Sequence, residues 1–501
     1  MKKYSIIICT LLVLMSCSDF LGNQPKGEII PQSIKHYDLW LNSSILVGGG
    51  STHMNYLTDD VYVSTNGVAY SFGLNIMPPS YRNLYTFEEK VFSQSEDDSQ
   101  WSSAYGRIHQ YNTIMEKIVD ATGGGETEIK KLQAEALLAR AYDYLILVNT
   151  YAKQYDAATS KTDLGIPLLL TSVAPEGTLK RATVEEIYAQ IIKDLTEAEK
   201  YLPERPTTGL FRGSKKAVYG TFARAYLIRG EYDKALSYAN KLLERDKYLL
   251  DLKEYNIGVD NPETGYKAPT MEGRIVGIPE GKDNKECVYL KLDDSGMGVG
   301  MSAQILASED LISLFDMEND KRFLLYYSNS FEGEVFNEFL YMPFIYLNLG
   351  ISTPEMYLTA AECEARIGSK ERALELLNAL RDNRIINNEP LTAESNDEAL
   401  TMVLEERRRE FAMIGMFRFI DLRRLNKDPR FAKKVEHRVA KTELQEVTFV
   451  DEDGTEYKYM DYVEVGEPII YTLEPNSPKY IMPIPPKVMR FNPGMPDNDR
   501  K

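Results

Sequence analysis

The sequence predicts a mainly α-helical fold in which the helices pack as antiparallel pairs. From residue 219 to 239, large aromatic side chains recur at helical spacing with alanines between them, which suits close contact between helices. Gly230 ends the first helix, and Ala235 lies five residues later, where the second helix must approach the first. The same glycine-to-alanine spacing returns between residues 357 and 376. Two copies of one pattern predict a scaffold of repeated helix pairs.

Apolar residues at a period of 3.6 predict further helices along the chain. Thr183 and Glu186 form a capping box that starts one of them. Trp40 and Trp101 fall on apolar helix faces, so we expect both rings in the core. The predicted helices outside the two repeats are 33–46, 101–119, 129–151, 183–201 and 398–425, which places the repeat helices at about 101–151, 183–246 and 354–425.

Two regions lose the helical period, at about 47–96 and 247–350, and they are rich in glycine and tyrosine. A long irregular segment inside a helical scaffold is usually functional, so we expect both regions to form the binding side of the molecule. Within the first, Pro78 and Pro79 predict a rigid turn. Near the end of the chain, residues 448–459 alternate between apolar and polar and predict a β-hairpin.

The N-terminus has the parts of a secretory leader. Lys2 and Lys3 precede an apolar run, 6–15, that is too short to span a bilayer, and Cys17 follows directly after small Ser16. These residues resemble a bacterial lipobox, which implies cleavage after residue 16 and acylation of Cys17. An ordinary signal peptide followed by an unrelated cysteine is the alternative.

The net charge disfavours some classes of binding partner, and the number and placement of the cysteines bear on whether a disulfide forms. A net charge of -17, more negative still once the leader is removed, disfavours nucleic acid and anionic lipid as partners. Beyond the leader and Cys17, only Cys287 and Cys363 remain. Cys363 falls on an apolar helix face, where a small buried residue suits the packing, so we expect no disulfide.

No motif for catalysis, metal or cofactor binding stands out. The four histidines are scattered without metal-ligand spacing, and neither a nucleophile elbow nor a phosphate-binding loop occurs. We therefore expect a protein without cofactor, metal or enzymatic activity, although paired carboxylates of a glycosidase cannot be recognised from sequence spacing alone. Acids and arginines alternate between residues 405 and 410, which favours an ion-paired structural helix over an anion site.

Several separated stretches resemble known families. The two glycine-to-alanine repeats resemble tetratricopeptide repeats. Residues 17–21, 101–112, 136–142, 406–424 and 483–493 resemble, in order, the mature N-terminus, two paired helices, the arginine-rich helix and the closing loop of the SusD/RagB-like outer-membrane nutrient-binding lipoproteins. Ile414 departs from the glutamate usual in that family beside Gly415, at a position we interpret as structural.

The resemblance implies a signal peptide over residues 1–16 and one domain over 17–501. It implies a scaffold of about four tetratricopeptide-like helix pairs with loops and small β-hairpins on one side. It also implies a lipid-anchored protein on the cell surface, which delivers oligosaccharide, or alternatively peptide, to a SusC-like TonB-dependent outer-membrane transporter.

The ligand-binding residues are expected among loop aromatics that lie beside polar groups, because sugar rings stack on aromatic rings while their hydroxyls bond to polar side chains. We place the ligand against loops 65–87 and 255–300. The candidates are Tyr70, Phe72, Tyr81, Arg82, Tyr85, Asp60, Tyr266 and Tyr289. A surface glycosidase and a protein-docking scaffold are the two rival functions.

Overall fold

In the computed structural model, the described residues are 31–63, 74, 77–173, 177–255, 279, 283–294, 306–331, 334–341, 348–450 and 453–501. Helices dominate, as the sequence predicts, and the strands are short. The α-helices of the described residues are α1 (Ile34–Trp40), α2 (Pro79–Tyr85), α3 (Ser99–Lys117), α4 (Glu126–Tyr151), α5 (Val184–Tyr201), α6 (Lys215–Arg229), α7 (Tyr232–Leu243), α8 (Glu309–Ile312), α9 (Lys321–Tyr326), α10 (Thr353–Ile367), α11 (Lys370–Arg381), α12 (Asn396–Phe411), α13 (Phe417–Leu425) and α14 (Pro486–Phe491). No helix of the described part is both long and apolar enough to cross a membrane.

The first predicted repeat is the helix pair α6 and α7. The Ser214 hydroxyl accepts a hydrogen bond from the Ala217 amide at the start of α6, and Gly230 ends that helix in the left-handed region, at a φ of 74°. Ala225 and Ala235 are completely buried, and Phe222 stacks on Tyr238 with ring centroids 4.3 Å apart. The small residues thus let the two helices approach, and the aromatic rings fill the space beside them.

The second predicted repeat is the pair α10 and α11, which packs against α7 and α12. Ala361 and Ala373 are completely buried, like the alanines of the first repeat. Cys363 is buried on the same helix, and both Cys363 and Cys287 are free thiols. Helices α3, α4 and α5 continue the scaffold on the other side of α6. The helix-pair prediction is therefore confirmed.

Helix α5 starts at the predicted capping box. The Thr183 hydroxyl accepts a hydrogen bond from the Glu186 amide at 3.2 Å, and the Glu186 carboxylate accepts one from the Thr183 amide at 2.7 Å. Two of the amide groups that a helix leaves unpaired at its N-terminus are satisfied in this way. This start of the helix could be predicted because the capping box involves only residues that are close in sequence.

The arginine-rich region departs from the prediction of one helix over 398–425. It forms two helices, α12 and α13, because Met413 and Gly415 take positive φ angles of 63° and 50° that no right-handed helix can accommodate. The predicted ion pairs are present. Glu406 is completely buried and contacts three guanidinium groups, those of Arg322, Arg381 and Arg409.

The two tryptophans differ in burial. Trp101 lies in the core with 5% of its surface exposed, as predicted. Trp40 is only half-buried, and its indole Nε1 donates to the Gln110 side chain at 2.9 Å. The predicted helix 33–46 is also shorter, because α1 ends at Trp40 and a separate 3₁₀ turn follows at Ser44–Val47.

The two irregular regions contain more regular structure than predicted. Region 47–96 includes α2 and a 3₁₀ turn at His53–Leu57. The described parts of 247–350 contain α8, α9 and several strands. Within the part of the chain that the structure describes, the strands are β1 (Val61–Tyr62), β2 (Leu164–Pro167), β3 (Arg181–Thr183), β4 (Cys287–Tyr289), β5 (Leu306–Ala307), β6 (Tyr327–Phe331), β7 (Glu334–Tyr341), β8 (Ile351–Ser352), β9 (Val435–Val439), β10 (Thr442–Val450), β11 (Glu456–Glu464) and β12 (Ile469–Leu473).

The strands form small antiparallel sheets that lie beside the helices. One has the order β1-β5-β7-β6 and joins the two irregular regions, and the others are the pairs β4-β8, β2-β3, β9-β12 and β10-β11. The predicted hairpin is the pair β10-β11, and it is longer than the predicted 448–459. Gly454, with a φ of 80°, lies in its turn.

Candidate functional site

Helix α2 carries the two candidate residues for which the sequence argument is strongest, Tyr81 and Arg82. Pro79 occupies the first turn of this helix, where its missing amide costs nothing, and the Pro78 carbonyl accepts from the amides of Tyr81 and Arg82. The predicted rigid turn is therefore the start of a helix. A helix start holds the side chains of Tyr81 and Arg82 in a defined direction, as a rigid turn would.

The Tyr81 ring is half-buried and packs against two other rings. Its centroid lies 5.9 Å from that of His53, with the planes 10° apart, and 5.3 Å from that of Tyr56. Burial, with the nearby carboxylates of Asp293 and Asp98, raises the pKa of the Tyr81 phenol. The phenol therefore stays protonated at neutral pH and can both donate and accept a hydrogen bond.

His53 forms the buried backing of this group. The Ser51 hydroxyl contacts its Nδ1 atom, and burial lowers the pKa of the imidazole although the carboxylates of Asp98 and Asp293 act in the opposite direction. The ring is consequently neutral at physiological pH. A neutral ring behind Tyr81 supports stacking without placing a charge beneath the ligand.

Two acidic residues near Tyr81 were not predicted from the sequence. Asp98 caps α3, accepts from the Gln100 amide at 3.0 Å and from the Tyr151 hydroxyl at 2.6 Å, and is buried. Asp293 follows β4 and contributes to the field at both Tyr81 and His53. The N-cap position of Asp98 was recognisable before an apolar helix, but its approach to Tyr81 depends on the tertiary fold.

A buried ion-pair cluster fixes the segment that carries Asp293. Arg107 of α3 contacts Asp143 of α4 at 2.7 Å and Asp294 at 2.5 Å, and all three side chains are at most 4% exposed. The Asp294 carboxylate also accepts from the Gly50 amide at 3.2 Å. Helices α3 and α4 thereby hold two loop segments, 48–51 and 291–294, against each other beside the candidate site.

Three of the predicted ligand residues are buried, which corrects their assignment to a ligand surface. The Tyr85 hydroxyl accepts from the Val63 amide at 3.1 Å, and Tyr289 packs edge-on against Tyr142. Asp60 is completely buried, and its carboxylate contacts the Arg408 Nε atom at 2.7 Å. The side chains of all three residues are therefore enclosed by the protein in this structure.

Asp60 belongs to a second ion-pair cluster that ties the segment before β1 to the scaffold. Arg408 of α12 also contacts Asp59, and Arg418 of α13 holds Asp59 with two hydrogen bonds of 2.7 Å. Burial opposes ionisation of Asp59, but Arg418 and Arg408 outweigh it and keep the pKa of this carboxyl well below its usual range. The arginine-rich helices thus position the loop that leads to the candidate site.

Tyr70, Phe72 and Tyr266 lie outside the described residues. Arg82 is half-buried next to Tyr81, and within the described part of the chain its guanidinium forms no ion pair. The described residues contain no group of three or more His, Cys, Asp or Glu side chains that could hold a metal ion. The described candidate surface therefore consists of the Tyr81 ring and the Arg82 cation.

Comparison with known proteins places this chain in a family. A family model described as starch-binding associating with outer membrane matches residues 50–227, and a model described as SusD family matches residues 353–500. Together they match more than half of the chain. Among curated protein sequences no match was found.

Solved structures share the fold along nearly the whole chain. A SusD superfamily protein from Bacteroides thetaiotaomicron is 18% identical with a TM-score of 0.67, and the alignment covers 93% of this chain and 99% of that one. A putative sugar binding protein from Bacteroides vulgatus is 21% identical, with a TM-score of 0.64 and coverage of 94% and 99%. A laminarin binding SusD-like protein is 20% identical, with a TM-score of 0.55 and coverage of 79% and 92%. The chain has the mainly α-helical SusD-like fold and belongs to the SusD/RagB-like family, whose members bind carbohydrate in association with the outer membrane.

Proposed function

We propose that this protein is a cell-surface lipoprotein that captures an oligosaccharide and passes it to a SusC-like TonB-dependent transporter, without catalysing a reaction. The single observation that carries the proposal is the starch-binding family match over residues 50–227, since this range contains the aromatic group built around Tyr81. The likeness to a laminarin binding protein supports the same ligand class.

The Tyr81 group has the chemistry that a sugar requires. A half-buried ring, backed by His53 and Tyr56, presents an aromatic surface to the apolar C–H groups of a sugar ring. The neighbouring Arg82 guanidinium can donate hydrogen bonds to hydroxyl groups. Tyr70, Phe72 and Tyr266 remain candidates for the same surface from the adjoining segments. No step of this binding mode needs a metal or a nucleophile.

Isothermal titration of the purified protein with glycan pools and with peptide pools tests the ligand class. We expect the parent to bind glycan and the Tyr81→Ala variant to bind about two- to tenfold more weakly, because an aromatic contact is worth about 0.5–1.5 kcal/mol. Tyr201→Ala is the matched control, since this tyrosine is 41% exposed at the end of α5. Binding of peptide instead of glycan would favour the RagB-like alternative, and release of shorter glycans would favour a glycosidase.

The lipid anchor is tested separately at Cys17. Two acyl chains hold a protein stably at a membrane, whereas a single chain does so only marginally. We expect Cys17→Ala to move the protein from the membrane fraction to the soluble fraction. An unmodified N-terminal peptide in the parent, measured by mass spectrometry, would contradict acylation at this residue.

A further inference from the structure

A long antiparallel arm projects from the region beside the candidate site. Its base is the pair β9-β12 and its tip is the pair β10-β11, with Thr442 opposite Glu464 and Val450 opposite Glu456. The tip has nine residues in each strand. At about 3.3 Å per residue, the tip is about 30 Å long.

The base of the arm is fixed to the end of α2. His437 of β9 is buried, with Nδ1 2.7 Å from the Tyr85 carbonyl and Nε2 2.8 Å from the Thr58 carbonyl. Its ring stacks on that of Tyr85 at 4.0 Å. The arm is therefore anchored four residues along the chain from Tyr81, while most of the described side chains of its tip are exposed to solvent.

The tip exposes large apolar side chains on both faces. Phe449 opposes Tyr457, and Val447 opposes Tyr459, on one face. Among the described residues, the tip supplies six of the nineteen large apolar side chains that are strongly exposed. They are Leu444, Phe449, Val450, Tyr457, Tyr459 and Met460, each between 50% and 56% exposed. So dense a group of exposed apolar residues marks an interaction surface.

The charge of the tip indicates which type of partner can bind to this surface. Between residues 442 and 464 the sequence has eight acids and a single base, Lys458, which pairs with Glu446 at 3.2 Å. Two such tips repel each other, so a second copy of the chain is disfavoured, and so is an anionic membrane surface. A protein surface that combines positive charge with apolar pockets is complementary to the tip.

We propose that the tip of the arm docks onto a basic, apolar surface of the outer-membrane transporter, an inference that rests on the proposed function and names its contact element. The aromatic side chains fill apolar pockets, and the acids pair with lysines and arginines around them. Because the base is fixed to α2, docking at the tip places the Tyr81 surface at a set distance from the transporter.

The test uses the affinity-tagged full chain, co-expressed with the transporter in membranes and purified in mild detergent. The tip variant carries Phe449→Ser and Tyr457→Ser. The matched control carries Val173→Ser and Phe491→Ser, which remove two side chains that are each 75% exposed elsewhere. We expect the parent and the control to retain the transporter, and the tip variant to retain at least tenfold less, with an unchanged melting temperature. The parent complex should also weaken as salt is raised.

Equal recovery of the transporter by the tip variant and the parent would overturn the docking assignment. Failure of the parent to retain any transporter, while it still binds glycan, would also overturn it and would leave the ligand class intact. Retention of the transporter by a parent that binds no glycan would instead contradict the proposed ligand and leave the docking surface standing.

Discussion

The buried carboxylate of Glu362 offers the most quantitative test of the scaffold. This residue lies on α10 and is completely buried. Its two oxygens accept from Arg424 at 2.6 and 2.7 Å, and one of them also accepts from Arg366 at 2.9 Å. The contact joins α10 to α13, so removing its charge tests how these helices are held together.

The contribution of the Glu362 charge to the free energy of unfolding follows from the shift of its pKa. Burial opposes ionisation, but the guanidinium groups of Arg424 and then Arg366 outweigh it and lower the pKa of Glu362 from 4.5 to about 2. Since each pKa unit corresponds to about 1.4 kcal/mol, the charged form contributes about 3 kcal/mol to the free energy of unfolding. Because the folded pKa is the lower one, this contribution is complete above pH 4.5 and is lost as the pH falls towards 2.

We expect Glu362→Gln to lower the free energy of unfolding by about 3 kcal/mol at pH 7, measured by urea denaturation. At pH 3.5 the gap between parent and variant should be about 1 kcal/mol smaller, because part of the parent's contribution is then lost. The control is Glu364→Gln, which lies on the same helix, is half-buried, and forms no ion pair with the described residues. Its effect should stay below about 0.5 kcal/mol. Equal losses in the two variants, or a gap that does not change with pH, would refute the reasoning.

Three further substitutions test the packing. Gly220→Ala should destabilise the protein by about 1 kcal/mol or more, because the added Cβ would lie 2.1 Å from Ile351 Cγ2, and this overpacking outweighs the gain in helix propensity. Adding Ile351→Ala should recover part of that loss in a double-mutant cycle. Ala235→Glu should cost several kcal/mol, since it buries an unpaired charge where the helices touch, and an unchanged melting temperature would disprove the repeat register. Trp101→Ala should cost about 3–5 kcal/mol in thermal or urea melts, while glycan affinity measured below the melting transition stays the same.

The helix pairs could be predicted because their signals are local. The glycine that ends α6, the alanines between facing helices and the capping box of α5 each act within a few residues. The end of α12 was missed, because nothing in the neighbouring residues requires Met413 to adopt a positive φ. Phe411 and Phe417 stack across that break at 4.3 Å, and this contact forms only once the chain has turned.

The candidate site was harder to predict than the scaffold. Tyr81 and Arg82 are consecutive residues that follow two prolines, so a shared position could be expected from the sequence, and their role in ligand binding stays a prediction. Tyr85 was assigned to the ligand because it lies in the same stretch, yet it is covered by His437, more than 350 residues later. Tyr289 is likewise covered by Tyr142. Burial that depends on such distant partners leaves no periodic pattern in the sequence.

The backbone amides of the arm should also differ in their rates of hydrogen exchange, from its base to its tip. The amides of β9 that pair with β12 lie beside buried Val435 and Leu473, so they open only with the scaffold and exchange slowly. Along β10, every second amide faces away from β11 into solvent, and those amides exchange fast. A partner bound to the tip would slow exchange of the fast amides in β10 and leave the slow amides of β9 unchanged. Deuterium uptake along 442–464 therefore reports occupancy of the arm without any label.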